Sequence, residues 1–310
     1  MRSLPNSVLE AIDIARIPSP PEILLRLVRT VEDEQATMGE LATIVEQDPG
    51  LASRILSVAN SPALRRGREL KNLETCLIAL GTRLVRSLAT CLSIQKLFDR
   101  NANLDKFNVA DYWSHSLLVG EMARGIAELA EYPHPDEAYL SGLLHDIGEL
   151  ILLSAIGDPY HRFLANSLEN PKLQSEELQL FGTTHVDVGG WLIDHWVLDS
   201  VLADGVAFHH TAATEIVTAT ALPQIVWIAQ ALSVTPDNSP ELGMVVNRSN
   251  PKLEMSALLV VRERAIQRAR QIAEALGITI ADDFPNRRTA APAPASRLAE
   301  PASAADDDLA

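Results

Sequence analysis

The sequence of 310 residues has few cysteines, few basic side chains and no long unbroken apolar run, and each shortage excludes a class of protein. Its two cysteines, Cys76 and Cys91, cannot build a disulfide framework or a Cys-x-x-Cys metal motif. Its 26 basic side chains face 41 acidic ones, and the net charge of −15 argues against direct binding of nucleic acid or of an anionic membrane. Pro5, Glu10 and Asp13 interrupt the N-terminus where a signal peptide needs apolar residues, and no run approaches the ~20 that span a bilayer. We therefore expect a cytoplasmic protein.

Helical signals dominate the sequence that remains. Thr37 and Glu40 form a predicted capping box, and Asp48 followed by Pro49 predicts the start of a further helix. Gly81 separates two more predicted helices. Helical spacing of apolar residues predicts later helices at about 136–155, 174–196, 199–210, 222–234 and 256–276. No segment alternates apolar and polar residues between hairpin turns, so the sequence predicts an all-α fold.

Composition and helix pattern, together with the family resemblance described below, divide the chain into five parts. An N-terminal extension at 1–16 precedes a first helical lobe at 17–104 and a second helical lobe at 105–235. Residues 236–280 are predicted to form a linker followed by one amphipathic helix. The segment 281–310 is rich in Ala, Pro and Asp and is predicted to be a disordered tail, because it cannot bury enough apolar surface to fold.

The second lobe concentrates residue types that bind metals. Asp111 and His115 lie four residues apart on one predicted helix and therefore project from the same face. His145 and Asp146 are adjacent inside the apolar segment LSGLLHDIGELILL. The remaining candidate ligands are the histidines His185, His209 and His210. Neutral imidazoles together with carboxylates suit Fe, Mn or Zn, and several helices that carry them can converge on one buried metal.

A simpler interpretation stands beside the metal site. Each histidine alone is more often a core side chain that forms a hydrogen bond with a neighbouring backbone group. The pair His145 and Asp146 differs, because a carboxylate in so apolar a segment is costly to bury without a metal or a histidine as its partner. A third interpretation is a metal retained for structure, whose removal lowers stability.

Six motifs occur in a fixed order, namely QDPGLASRILSVANSP, LETCLIALGTRLVRSL, YWSHSLLVGEMA, GLLHDIGELIL, GTTHVDVGGWLIDHW and AFHH. Together they resemble the HDOD domain, the HD-related output domain of bacterial signalling proteins. Its superfamily, the HD phosphohydrolases, is named after the His-Asp doublet. The resemblance runs from about Ile17 to Val234 and implies one HDOD domain at 17–235. Its fold would be a multi-helix one, with an N-terminal helical lobe packed on an HD-like helical lobe.

The resemblance also implies a role for each candidate residue. HDOD domains are similar in fold to cyclic-di-GMP phosphodiesterases of the HD-GYP type, yet generally lack their catalytic set. Metal-binding positions of those enzymes match His115, His145, Asp146, His185, His209 and His210. Asp111 falls where they use a glutamate, which makes it a weaker candidate. Glu149 stands where they have a lysine, and Gln230 where the superfamily has a metal-binding aspartate. Glu149 would repel an anionic substrate, and Gln230 offers only a neutral amide oxygen.

The sequence therefore predicts a non-catalytic regulator of bacterial signal transduction that acts through protein–protein contacts. The resemblance implies a response regulator, a kinase or a diguanylate cyclase as partner. The candidate surface is a basic cluster of the first lobe, formed by Arg65, Arg66, Arg68, Lys71, Arg83 and Arg86, although such charges more often form a solvated face. The alternative is a metal-dependent phosphohydrolase acting on a cyclic dinucleotide or nucleotide. Charge favours the regulator, because residues 101–240 contain 4 basic and 19 acidic side chains.

Overall fold

The computed structural model describes residues 4, 22–26, 37–61, 69–98, 102–104, 107–167, 173–196, 200–234, 239–249, 253–281 and 284. Every regular element in these ranges is a helix, which confirms the predicted all-α fold. The predicted N-terminal extension, apart from Leu4, and nearly all of the predicted tail lie outside the described residues.

The helices follow one another closely and are numbered here in chain order. They are α1 (Met38–Glu46), α2 (Pro49–Ala59), α3 (Leu73–Phe98), α4 (Val109–Leu129), α5 (Pro135–Leu144), α6 (Ile147–Ile156), α7 (Asp158–Ser167), α8 (Leu173–Phe181), α9 (His185–His195), α10 (Ser200–Phe208), α11 (Ala213–Ile216), α12 (Ala221–Val234), α13 (Pro240–Ser249) and α14 (Met255–Ala275). The predicted break at Gly81 is confirmed, because its φ of 79° and ψ of 157° interrupt the helical conformation of α3. A 3-10 turn, Ala102–Leu104, lies between α3 and α4.

The first lobe forms where its helix-start signals predict. The Thr37 hydroxyl accepts a hydrogen bond from the Glu40 N–H at 3.3 Å, and the Glu40 carboxylate accepts one from the Thr37 N–H at 2.8 Å, which confirms the capping box. Asp48 caps α2 by accepting from the N–H groups of Gly50 and Leu51. A small core joins α1, α2 and α3 through Leu41, Ile44, Val45, Leu51, Ile55, Leu77, Val85, Ala89 and Leu92.

The second lobe is a helical bundle around α4, which packs against α5, α12 and α14. A second set of contacts joins α9 to α6 and α10. Gly148 on α6 makes the first of these contacts possible, because a Cβ at this position would overlap the carbonyl oxygen of His185 on α9. The two helices therefore approach at backbone distance, which holds His185 next to the turn that precedes α6.

Two predicted helices are each divided in the structure. The one at 136–155 becomes α5 and α6, separated by a turn at His145 and Asp146. The one at 174–196 becomes α8 and α9, because Gly182 adopts a φ of 74° and Thr184 then caps α9.

The region predicted as a linker and one helix contains two helices. Within it, α13 is amphipathic and buries Leu242, Val245 and Val246. Beyond it, α14 lies along α4, where Gly125 lets the side chain of Val261 approach closely. The C-terminal helices are therefore part of the main core.

Within the described ranges, two helical segments are long and apolar enough to cross a membrane, Leu73–Phe98 and Pro135–Ile156. In the most apolar windows of these segments, 56% and 83% of the residues are buried inside the protein. The core helices of soluble proteins pass the same test of length and composition, so these two segments are weak evidence for a membrane span.

Candidate metal centre

The second lobe brings its histidines together around the carboxylate of Asp146. His145 and Asp146 form the turn before α6, His185 begins α9, and His209 follows α10. The Asp146 Oδ2 atom is 2.9 Å from His145 Nε2, and the Oδ1 atom is 3.3 Å from His209 Nε2 and 3.7 Å from His185 Nε2. His115, on α4, places its Nε2 3.8 Å from Oδ2. All five residues are buried.

Three of these imidazoles are held in one tautomer by a hydrogen bond at the ring nitrogen that faces away from Asp146. The acceptors for Nδ1 are the Gly142 carbonyl for His145 (2.8 Å), the Val206 carbonyl for His209 (2.7 Å) and the Glu177 carboxylate for His185 (2.8 Å). Carbonyl and carboxylate oxygens only accept, so Nδ1 carries a proton in each ring. Metal-binding histidines are oriented by the same kind of contact in other proteins.

The atoms that face inward fit a metal ion. The Nε2 atoms of His145, His185 and His209 are buried, and within the described part of the chain none has a hydrogen-bond partner of good geometry. Candidate ligand atoms within 4.8 Å of one another form two groups. The four-ligand group comprises Asp146, His185, His209 and His210, and the three-ligand group comprises His115, His145 and Asp146. Imidazole nitrogens with a carboxylate are a suitable set for Fe, Mn or Zn.

Asp111 and Gln230 take different places from the ligand groups. Asp111 belongs to neither group, and its carboxylate accepts a hydrogen bond from the Asn108 amide at 2.6 Å at the start of α4. Gln230 on α12 reaches the cluster, where its Oε1 lies 3.0 Å from His115 Nε2. Gln230 therefore contacts a candidate ligand through its side-chain amide.

Glu177 and Tyr160 belong to the site although the sequence did not indicate them. Glu177 is 0% exposed on α8, and its Oε1 accepts a hydrogen bond of 2.5 Å from the Tyr160 hydroxyl while Oε2 accepts from His185. A signal was present, because Glu177 lies four residues from both Leu173 and Phe181, on the apolar face of a short helix.

Burial and neighbouring charges separate the pKa values of the histidines. Burial disfavours the charged form of His185, but the charge and hydrogen bond of Glu177 outweigh burial and raise the pKa of His185 to about 9. Burial lowers the pKa of His209 to about 4. Burial and the neighbouring His209 hold the pKa of His210 well below its usual range.

A model of the HDOD domain matches residues 17–212 of the sequence. The chain belongs to the HDOD family. This HDOD chain is similar in structure to an HDOD domain protein with unknown function from Geobacter sulfurreducens, with a TM-score of 0.69 and 24% identity over 89% of this chain and 99% of that one. It is also similar to a candidate phosphohydrolase from Shewanella amazonensis, with a TM-score of 0.66 and 21% identity over 87% and 98% of the two chains. These likenesses show a shared fold.

Among curated sequences, the HDOD chain matches an uncharacterized protein of Treponema pallidum with 22% identity over 211 residues. The matched part is 67% of this chain and 40% of that relative, so this chain spans less than half of the relative's length. The HDOD match ends at residue 212, before α12. The contact between Gln230 and His115 therefore comes from a helix that the match does not include.

Proposed function

We propose that this HDOD chain is a non-catalytic, cytoplasmic regulator of bacterial signal transduction that acts through protein–protein contacts. The observation that carries the proposal is the burial of the His-Asp cluster. His145, Asp146 and His185 are 0% exposed, and His209 is 2% exposed. A phosphodiester must reach the open side of a bound metal to be hydrolysed, and these four side chains offer it almost no surface, whereas His210 is the one member of the four-ligand group that is not buried. The HDOD family also supports a regulator, because the resemblance to it implies an output domain of signalling proteins.

The charge around the cluster also supports a regulator. Glu149 is 1% exposed in the first turn of α6, three residues after Asp146, and is close enough to His185 to act on it electrostatically. A carboxylate there repels a phosphate group, whereas a lysine would stabilise the charge that develops during hydrolysis. Residues 101–240, with 4 basic and 19 acidic side chains, provide little attraction for a cyclic dinucleotide.

The basic cluster of the first lobe is the surface that we propose for partner binding. Within it, Lys71 is exposed, and Arg83 is half exposed beside Glu128 at 2.7 Å. Arg86 is largely buried and pairs with Asp136 at 2.7 Å, so its charge serves the contact between the lobes. The other members, Arg65, Arg66 and Arg68, lie outside the described residues. The chemistry of this surface suits an acidic face on a response regulator, a kinase or a diguanylate cyclase.

Charge reversal tests this surface. The variant reverses four side chains of the basic cluster, by Arg65→Glu, Arg66→Glu, Arg68→Glu and Lys71→Glu. A matched control reverses four basic side chains that are exposed elsewhere, by Arg54→Glu, Arg162→Glu, Arg248→Glu and Arg264→Glu. We expect the wild-type chain and the control to bind at least one purified signalling protein that the variant does not bind. Absence of binding, together with measurable turnover of cyclic-di-GMP, would contradict the proposal.

A metal-dependent phosphohydrolase is the second candidate, and the inward-facing Nε2 atoms of His145, His185 and His209 favour it. A bound Fe, Mn or Zn ion would supply an activated water and neutralise charge on phosphate oxygens. This candidate predicts hydrolysis of cyclic-di-GMP by Fe(II)- or Mn(II)-loaded protein. The activity would be lost in His145→Ala and Asp146→Ala and kept in Gln179→Ala, a change at an exposed position of α8. Metal-loaded protein without turnover excludes it.

Both candidates include metal binding by the four-ligand group. In the regulator the metal would be structural, because it would join the turn before α6 to the first residue of α9 and to the end of α10. Such a metal adds its binding free energy to the folding free energy.

A further inference from the structure

We infer that Gln230 limits the His-Asp cluster to a single metal ion, bound by the four-ligand group. In the three-ligand group, His115 then serves as a hydrogen-bond donor and not as a ligand. The inference rests on the metal binding proposed above and does not depend on whether the chain is a regulator or a hydrolase.

The hydrogen bond between His115 and Gln230 carries the inference. His115 Nε2 lies 3.0 Å from Gln230 Oε1, and an amide oxygen accepts hydrogen bonds but does not donate them. This contact occupies Nε2, the nitrogen of His115 that faces Asp146 Oδ2 at 3.8 Å. A metal bound by the three-ligand group would have to displace Gln230 from this nitrogen, so the hydrogen bond competes with His115 as a ligand.

The same hydrogen bond distinguishes His115 from the other buried imidazoles. In His145, His185 and His209 the proton is on Nδ1, and the inward Nε2 lacks a hydrogen-bond partner in the described part of the chain. Among these four imidazoles, His115 alone forms a hydrogen bond of good geometry at its inward nitrogen. The ligand set is therefore complete for a metal in the four-ligand group and incomplete for a metal in the three-ligand group.

The position of Gln230 is fixed by the fold. Gln230 is 6% exposed on α12, which packs along α4, the helix of His115. The Ser233 hydroxyl donates a 2.7 Å hydrogen bond to the Gln230 carbonyl and lies 3.4 Å from its Oε1. An amide also brings no negative charge, whereas a carboxylate at position 230 would offset the charge of a second divalent ion.

Metal stoichiometry tests the inference with two substitutions of matched size, Gln230→Asp and Gln230→Asn. After reconstitution with Mn(II) and removal of loosely bound ions, we expect about one Mn per chain in the wild type and in Gln230→Asn. We expect about two in Gln230→Asp, and only this variant should show the electron paramagnetic resonance spectrum of a spin-coupled Mn pair, because the two ligand groups share Asp146. Far-UV circular dichroism confirms that each variant is folded.

The outcomes separate this inference from the metal site itself. Two Mn ions in the wild type, or equal metal content in a folded Gln230→Asp and a folded Gln230→Asn, overturn the role of Gln230. No Mn in any of the proteins overturns the metal site and the inference with it. His209→Ala serves as the reference for that case, because it removes a member of the four-ligand group and should reduce the metal content of the wild type. If both position-230 variants are unfolded, two Mn ions in the wild type still overturn the inference, and one supports it.

Discussion

Among the single residues of this protein, Glu177 connects the surface helix α8 to the His-Asp cluster. It accepts hydrogen bonds from Tyr160 and from His185, and both donors are buried. The candidate ligands His145, Asp146 and His185 could be named from the sequence, because their residue types are informative by themselves. Glu177 could not be assigned to the site in the same way, because a glutamate on a helix is usually solvated and only its tertiary contacts reveal its role.

Removal of Glu177 should destabilise the protein. In Glu177→Ala the Tyr160 hydroxyl and the Nδ1–H of His185 lose their acceptor inside the protein, and an unsatisfied buried polar group costs about 1–3 kcal/mol. We expect the free energy of unfolding in urea to fall by at least that amount. Gln179→Ala, two residues away and exposed, should change it by less than about 0.5 kcal/mol. Equal changes in the free energy of unfolding for the two substitutions would show that the hydrogen bonds of Glu177 do not stabilise the fold.

The pKa of His185 predicts how the metal-free protein responds to pH. A pKa of about 9 in the folded state lies above the usual 6.5, so the stabilising contribution of His185 is fully present below pH 6.5 and is lost as pH rises towards 9. His209, with its pKa lowered to about 4, has the opposite effect and destabilises the fold as pH falls from 6.5 towards 4. We expect urea unfolding with a chelator present to show maximal stability near pH 6.5. A stability that still rises between pH 6.5 and 9 would contradict the assignment.

At the scale of helices, the approach of α6 to α9 determines the shape of the site. The sequence could predict the existence of most helices, because their caps and apolar spacing are local. It could not place the turn at His145 and Asp146, since no Pro or Gly occurs at these two positions and the turn depends on packing against α9 and α10. The division between α8 and α9 was accessible, because Gly182 and Thr184 carry the local signals for a helix end and a new helix start.

Gly148 gives a direct test of this approach. In Gly148→Ala the new Cβ would overlap the His185 carbonyl oxygen, so α6 and α9 must move apart, and overpacking of this kind typically costs about 1–3 kcal/mol. Gly243→Ala on α13 is the matched control, because its Cβ would meet no atom within 4 Å and alanine favours a helix by up to about 1 kcal/mol. Thermal melting should therefore shift down for the first variant and up for the second. An upward shift of the melting temperature in both variants would show that α6 and α9 can accommodate a methyl group between them.

At the scale of the whole molecule, a buried arginine joins the two lobes. Arg124 on α4 is 2% exposed and donates to Glu121 at 2.7 Å, to Asp136 at 3.0 Å and to Ser87 of α3 at 3.1 Å. Its guanidinium also lies 3.9 Å from the centre of the Tyr139 ring. Separation of the lobes would leave this charge without part of its hydrogen bonding, so we expect them to unfold together.

Metal removal should lower the stability of this single unit. A ligand present at about 100 times its dissociation constant stabilises the folded state by about 2.7 kcal/mol. At an unfolding entropy of about 2.1 cal/mol/K per residue, such a change corresponds to a melting temperature about 4–5 °C lower after chelation. The measurement compares protein reconstituted with Mn(II) before and after chelation, with Asp146→Ala as the variant that should not respond. An unchanged melting temperature in the wild type would favour a hydrogen-bonded His/Asp core without a metal.

The packing of α14 along α4 has a practical consequence for anyone who wishes to express a shorter protein. The HDOD match ends at residue 212, but the face of α4 that holds Gly125 is covered by α14, which contributes Leu258, Ala265 and Ile272 to the core. A fragment cut at the family boundary would expose this apolar face to water and would be prone to aggregate. The smallest soluble unit of the second lobe therefore has to extend through residue 275.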